Sequence, residues 1–367
     1  MPNYSTKLRP EQSVDVLQAP FPWFGGKRRV APLVWERLGS TIPNFIEPFF
    51  GSGAVLLCRP GGAGKIETVN DADGLLANTW RAIQTHPDAM VEHAEYLAHE
   101  CDLHARHAVL VEKREALTRK LEGDPDYCDV ELAGWWLWGV ALWIGSGWCS
   151  GNGPWQRVET EDGWQLLHLG TTGQGVNRKR LHLGNTGRGV NRQLLHLGNT
   201  GRGVNRQLLH LGNTGRGGLH EYLHALSGRL RRVRVCCGDW SRVCGPTPTV
   251  KQGLTAVFLD PPYSGEAGRT ADIYAKDCNQ VAHDVRAWCL ENGNDTRLRI
   301  ALCGYEGEGH EALEAAGWDV VAWKAHGGYG AGKDASGDVN KLRERIWFSP
   351  HCLSAKQSAL RFEEEGR

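Results

Sequence analysis

The chain has 367 residues, 41% of them hydrophobic, and its 42 Lys plus Arg balance its 42 Asp plus Glu. That length and apolar content mark a globular protein with one large domain or two smaller ones, and the zero net charge by itself predicts neither a nucleic-acid nor a membrane partner. The balance hides a segregation: residues 163–220 hold no acid and eight bases, so that segment carries +8 and the remainder −8. Such an asymmetry fits either a segment that faces a polyanion or a solvated loop with incidental arginines.

In chain order, the N-terminus "MPNYSTKLRPEQSVDV" lacks the apolar core of a signal peptide. Short apolar runs at 44–46, 66–69, 233–236, 254–259, from Leu298 ("LRIALCG") and from Trp318 ("WDVVAW") predict strands. Between them "GAVLL", "LLANTWRAIQ", "HEYLHALSGRLRR", "AHDVRAWCLEN" and "GHEALEAAG" predict helices. This alternation indicates an α/β domain with a largely parallel sheet.

The middle of the chain breaks the pattern. Residues 90–150 read as helices rich in His and Glu and then in Trp, and 151–218 is Gly-rich and of low complexity. The uncharged run "LAGWWLWGVALWIGSGW", 132–148, carries four glycines and no basic flank, so it predicts a buried helix running into a glycine-rich loop rather than a membrane span. The expected division is therefore a first catalytic part at 1–89, an insertion at 90–227, and a second catalytic part at 228–367. Eleven scattered cysteines without a CxxC pair predict reduced thiols, no metal site and a cytoplasmic location. The adjacent Cys236 and Cys237 would point to opposite faces of one strand.

Three stretches carry chemistry. In "FIEPFFGSGAVLL" a strand ends at Glu47, and Gly51 and Gly53 precede a helix, which brings bare backbone near a ligand at the carboxyl edge of a sheet. In "TVNDADG", Asp71 follows Gly53 by 18 residues, the spacing of an acid that accepts hydrogen bonds from ribose hydroxyls; Asp73 is a second candidate. The lysines of "FGGKRR" and "GGAGKI" are followed by Arg28 and Ile66 instead of a hydroxyl residue, which argues against an NTPase.

The third stretch, "AVFLDPPYSG", runs an apolar strand into Asp260, Pro261, Pro262 and Tyr263. Two prolines end the strand and fix φ, so Asp260 and the Pro261 carbonyl can stand side by side as two acceptors. Two acceptors suit an amine. Drawing both protons of a nucleobase amine would push its nitrogen toward tetrahedral geometry and aim the lone pair at an electrophile, while Tyr263 offers a stacking face.

With these residues together, the chain resembles the Dam-type DNA adenine-N6 methyltransferases, whose motif order is matched by "PFPWFGGK", "EPFFGSGAV", "NDAD" and "DPPY". The resemblance covers roughly residues 20–85 and 225–350. It implies a Rossmann-like methyltransferase sheet with an inserted target-recognition region, S-adenosylmethionine as methyl donor, and double-stranded DNA as partner. It further implies that Trp23 and Lys27 line the donor pocket, that Glu47, Gly51 and Gly53 form the loop under the methionine part, and that Asp71 holds the ribose. Asp260 would sit where donor and target meet, with Asp239 and Trp240 of "CCGDW" at the donor's adenine. Cytosine-N4 methylation shares the amine chemistry and is the alternative within the class; a silent relative that only binds nucleic acid is the alternative outside it.

A tandem repeat occupies 167–217: "LHLGNTGRGVNRQL" stands at 181–194 and again, identically, at 195–208. A looser copy precedes the pair and a truncated one follows. Each full copy combines arginines with Gly and Asn turns and no acid, and the recurring His follows from the repeat itself. Either the unit is a duplicated, tolerated loop, or Arg178, Arg188, Arg192, Arg202 and Arg206 contact DNA phosphates.

Overall fold

The computed structural model describes residues 17–21, 23, 25–143, 148–149, 155–160, 163–168, 217–262, 279–323 and 343–354. Seven strands form one sheet: β1 (Asn44–Glu47), β2 (Ile66–Asp71), β5 (Val233–Cys237), β6 (Thr255–Leu259), β7 (Leu298–Tyr305), β8 (Asp319–Ala322) and β9 (Glu344–Phe348). Their order across the sheet is β5-β2-β1-β6-β7-β9-β8. The first five are mutually parallel, and β9 runs antiparallel between β7 and β8. The central strands β1 and β6 are buried on both faces, which is why the interior of each, Phe45–Ile46 and Ala256–Leu259, is apolar. The predicted strands and parallel sheet are therefore present. Sequence reading missed β9, whose five residues "ERIWF" open on two charges.

Helices cover the sheet. After α1 (Ala31–Leu38) and the single turn α2 (Ala54–Leu57) come α3 (Gly74–Thr85), α4 (Pro87–Ala94), α5 (Glu100–Gly123) and α6 (Val130–Leu142). The tryptophan-rich run is indeed a buried helix, α6, started by Asp129, whose side chain accepts from Leu132 N. Asn78 of α3 brackets that start by exchanging two 2.7 Å bonds with the Asp129 backbone. Among the described residues no helix is long and apolar enough to cross a membrane.

The expected insertion limits, residues 90 and 227, fall inside α4 and inside α7 (Gly217–Leu230). Met90, Leu110, Leu132 and Trp136 share one core with Phe45, Val69 and Leu75 of the sheet and its first helices. Buried Arg81 ties these layers together, its guanidinium donating to the carbonyls of Leu121, Asp124, Tyr127 and Val235. On the return, Arg229 of α7 grips Glu67 of β2 at 2.7 and 3.0 Å, and Glu67 also pairs with Arg59 at 3.1 Å.

Within the stretch read as Gly-rich and without structure, β3 (Trp155–Thr160) and β4 (Gly163–His168) form a separate antiparallel hairpin, paired from Trp155↔His168 to Thr160↔Gly163. The repeat thus opens on the last two residues of β4, and residues 169–216 lie outside the described residues. Cys236 and Cys237 sit on opposite faces of β5, each packed in a different core cluster, and all ten described cysteines are free. After β5 come the turn α8 (Ser241–Cys244), then α9 (Asn279–Asn292) and the short α10 (Glu311–Ala315).

Candidate active site

The strand order defines where the site lies. From β1 the chain proceeds to β2 on one side, while β6 adds on the other, so the connections diverge between β1 and β6. In open α/β sheets a crevice opens at the carboxyl ends of such a pair. Here those ends carry Glu47 and, one residue past Leu259, Asp260.

Beyond β1 the chain turns sharply through Gly51 (φ +49°) and Gly53 (φ +62°), left-handed conformations that strain any residue with a Cβ. The missing side chains also make room for aromatics: a Cβ on Gly51 would stand 2.5 Å from the Trp23 indole nitrogen, and one on Gly53 2.6 Å from the Phe50 ring. Trp80 of α3 donates to the Gly51 carbonyl at 2.9 Å, which fixes the loop from beneath. The bare backbone is thus used first for close approach by Trp23, which brings that residue to the glycine loop.

Asp71 binds this loop to the next one. Its Oδ2 accepts from Gly51 N at 3.0 Å and its Oδ1 from Asp73 N at 2.9 Å. Burial pushes its carboxyl up to about 7, against the opposing pull of those two N–H groups. Asp73 caps α3 by accepting from Leu75 N. Asn70 reaches both neighbours, donating to the carbonyls of Pro48 and Gly238, and Gly238 N returns a bond to Asp71 O. Three loops are so knitted along one edge.

At the centre, Lys27 Nζ lies 2.9 Å from Asp260 Oδ1, with the lysine 4% and the aspartate 22% exposed. Lys27 also donates to the Gly25 carbonyl at 2.9 Å and sits 5.8 Å from the Trp323 ring centroid. Glu47 is buried, accepts from Leu56 N at 3.1 Å, and has its carboxyl raised well above the usual range, chiefly by burial, with Asp260 adding to the rise. The residues expected at the site from three distant parts of the chain therefore meet at one sheet edge.

Residues 23–129 match the family model of the D12 class N6 adenine-specific DNA methyltransferase. That match supports an adenine-N6 DNA methyltransferase. The matched segment runs from Trp23, over the glycine loop and Asp71, to Asp129 at the start of α6. The mixed α/β architecture with its mostly parallel sheet is consistent with a Rossmann-like methyltransferase.

Sequence reading missed Glu344, the first residue of β9. It is 7% exposed, its Oε2 has no hydrogen-bond partner among the described residues, and burial raises its carboxyl while Lys27 lowers it and Asp260 raises it further. No local motif announces it, because β9 reaches the site only by returning antiparallel between β7 and β8. Trp80 was likewise missed, being read as one apolar position of a helix.

Asp239 stands exposed at the turn after β5, its Oδ1 accepting from Ser241 N at 2.9 Å and from Ser241 Oγ at 2.5 Å. Trp240 beside it is buried and stacks on Phe49 at a centroid distance of 6.1 Å. Pro261 and Pro262 follow Asp260 within the described residues. Tyr263 and Arg178, Arg188, Arg192, Arg202 and Arg206 lie outside them.

Proposed function

We propose that this enzyme transfers the methyl group of S-adenosylmethionine to the N6 amine of adenine in double-stranded DNA, with the target base turned out of the helix toward Asp260. The observation that carries the reading is Asp260 itself: it directly follows β6 at the divergence of the sheet, precedes two prolines, and is held by Lys27 at 2.9 Å.

The residues present suit the donor. Asp260 and Glu344 face the cation of Lys27, and Glu47 lies close enough to Asp260 for the two carboxylates to repel. Among the described residues this edge holds more carboxylates than cations, and one carboxylate, Glu344, has an unpartnered buried oxygen, which favours a ligand bearing ammonium and sulfonium charge. Trp23, Lys27, Glu47, Gly51 and Gly53 would hold its methionine part, Asp71 its ribose and Asp239 the adenine end. When bound, the donor supplies an already activated methyl group on sulfur.

The chain's own residues then have to orient an amine. Asp260 and the Pro261 carbonyl accept its two N–H groups, which localises the nitrogen lone pair, and Tyr263 stacks on the base. Lys27 fixes Asp260 through Oδ1, so the carboxylate is pre-aimed rather than recruited. The proton released on transfer has Asp260 as its nearest acceptor in this arrangement.

Within the proposed insertion at 90–227, target recognition is assigned to the chain following α6, including the β3–β4 hairpin and the arginines of the repeat. Transfer of labelled methyl groups to DNA, followed by digestion to nucleosides, tests the whole reading. Label in N6-methyladenine, abolished by Asp260→Ala in a folded protein, is expected. Label in cytosine, or an Asp260→Ala rate equal to the parent's, overturns it. Deleting residues 181–208 removes two repeat periods and four arginines. DNA affinity should fall and its salt dependence flatten if the repeat contacts phosphates; an unchanged salt slope makes it a tolerated expansion.

A further inference from the structure

A second group of ligand-type side chains stands on the helices beside the repeat sequence. His220 and His224 are four residues apart on α7, so their rings share one helix face, with centroids 4.5 Å apart. Asp88, in the first turn of α4, lies opposite them. His220 Nε2 is 2.6 Å and His224 Nε2 2.7 Å from the same oxygen, Asp88 Oδ1. The three ligand atoms all fall within 4.8 Å of one another, and all three residues are exposed.

We propose that Asp88, His220 and His224 form a binding site for a borderline divalent ion of the Zn²⁺ type, with water completing the coordination. Two imidazoles and one carboxylate are a donor set that suits such ions and does not suit Mg²⁺ or Ca²⁺, which take oxygen ligands. The geometry is close to what the ion requires. Ligands at about 2.0–2.1 Å from a tetrahedral ion stand roughly 3.3 Å apart. Parting each His–Asp contact by about 0.6–0.7 Å therefore admits it, a shift within reach of exposed side chains. The two histidines are spaced by four on a helix, and His224 also stands fourteen residues after His210, in the His register of the repeat.

The site would pin α7, the first helix after the repeat sequence, to α4, the helix that precedes α5. Its effect would be to clamp the two limbs of the inserted region together at their base. It touches none of the residues assigned to methyl transfer, so it is a structural ion rather than a catalytic one.

The test is Zn²⁺ titration by calorimetry on chelator-treated full-length protein, kept reduced with a phosphine so that no added thiol competes. One equivalent should bind, and His220→Ala/His224→Ala should weaken that binding by more than about 100-fold, since even outer partners of metal ligands contribute about 10–100-fold. Asp88→Asn should weaken it as well. Co²⁺ substitution should give ligand-field absorption without the thiolate-to-metal charge transfer that cysteine ligation produces, and Zn²⁺ should raise the Tm of the parent but not of the double variant. Both histidines are exposed, so the variant is expected to keep the parent's circular dichroism. Absence of one-equivalent binding, or binding unchanged in the double variant, overturns the proposal; the latter outcome assigns the ion to other side chains.

Discussion

Lys27 and Asp260 are 233 residues apart in the chain, and the energetics of their contact can be worked from the structure. At 2.9 Å and an effective dielectric constant of about 20, the direct attraction is about 6 kcal/mol, most of which the desolvation of two charges offsets. Removing one partner from a buried pair typically costs about 3–5 kcal/mol, because the survivor is left without its counter-charge. The two removals are not equivalent here. Lys27→Met removes that counter-charge from Asp260, which also faces Glu344 and Glu47, and should cost about 3 kcal/mol, at the low end because Asp260 is partly exposed to water. Asp260→Asn leaves the ammonium with the Gly25 carbonyl and Glu344 near at hand, and should cost about half as much.

A double-mutant cycle isolates the pair. Stabilities of Lys27→Met, Asp260→Asn and the double variant, from chemical denaturation with the m-value checked for constancy, should yield a coupling of about 1–2 kcal/mol. Methyl transfer should be lost in both single variants, but for different reasons. Asp260→Asn keeps an acceptor oxygen but loses the negative charge that can take up the released proton, whereas Lys27→Met releases the aspartate from its position and removes a donor contact. A coupling indistinguishable from zero, with Lys27→Met as stable as the parent, would refute the arrangement of the site.

Three further outcomes follow from other contacts. Glu67→Ala should destabilise the protein by about 3–5 kcal/mol, because it strands the guanidinium groups of Arg59 and Arg229 in a site where the carboxylate is 2% exposed; thermal unfolding reads this directly. Gly51→Ala should cost about 1–2 kcal/mol from its positive φ alone and should displace Trp23, so donor affinity should fall more than stability does. His107, stacked on Trp143 with centroids 4.8 Å apart, is pushed down to about 4, first by burial and then by His104 and Arg114. The unfolded chain therefore takes up a proton near 6.5 that the folded protein refuses, and stability should fall by about 3 kcal/mol as pH drops from about 6.5 to about 4. Asp71 acts in the opposite sense over the same window, losing stability as pH rises from about 4 to about 7. Comparison with His107→Phe, which keeps the stack but cannot titrate, separates the two.

What the sequence disclosed and what it withheld follow from range. Strands such as Thr255–Leu259 were legible because a parallel strand buried on both faces is largely apolar. The β9 strand was not, because two of its five residues are charged and its place between β7 and β8 is a matter of long-range pairing. The β3–β4 hairpin did leave a local signal: the turn-favouring dipeptide Asp162-Gly163 stands between two mixed polar and apolar runs, and Gly163, paired with Thr160 at the start of β4, takes a positive φ of 108°. The surrounding glycine-rich composition masked it. At the site, glycines, prolines and acids at strand ends were readable as backbone chemistry, whereas Glu344 reached Lys27 only through topology.

Asp71 shows how the two kinds of information combine. Its spacing from Gly53 marks it as a ribose acceptor, yet its carboxylate is bonded to Gly51 N and Asp73 N. These roles are compatible, because an ionised carboxylate offers about four acceptor positions and each backbone bond uses one. The backbone bonds set the direction of the oxygens before a ligand arrives, and burial raises the carboxyl to about 7, so a hydroxyl donor that favours the ionised form would be bound more tightly as pH rises through 7. Asp71→Asn retains one acceptor oxygen, and the bond to either Gly51 N or Asp73 N, but loses the titration. Donor affinity measured against pH should therefore rise through about pH 7 in the parent and stay level in the variant. A parallel rise in both would assign the pH dependence elsewhere and leave Asp71 as a brace for the glycine loop alone.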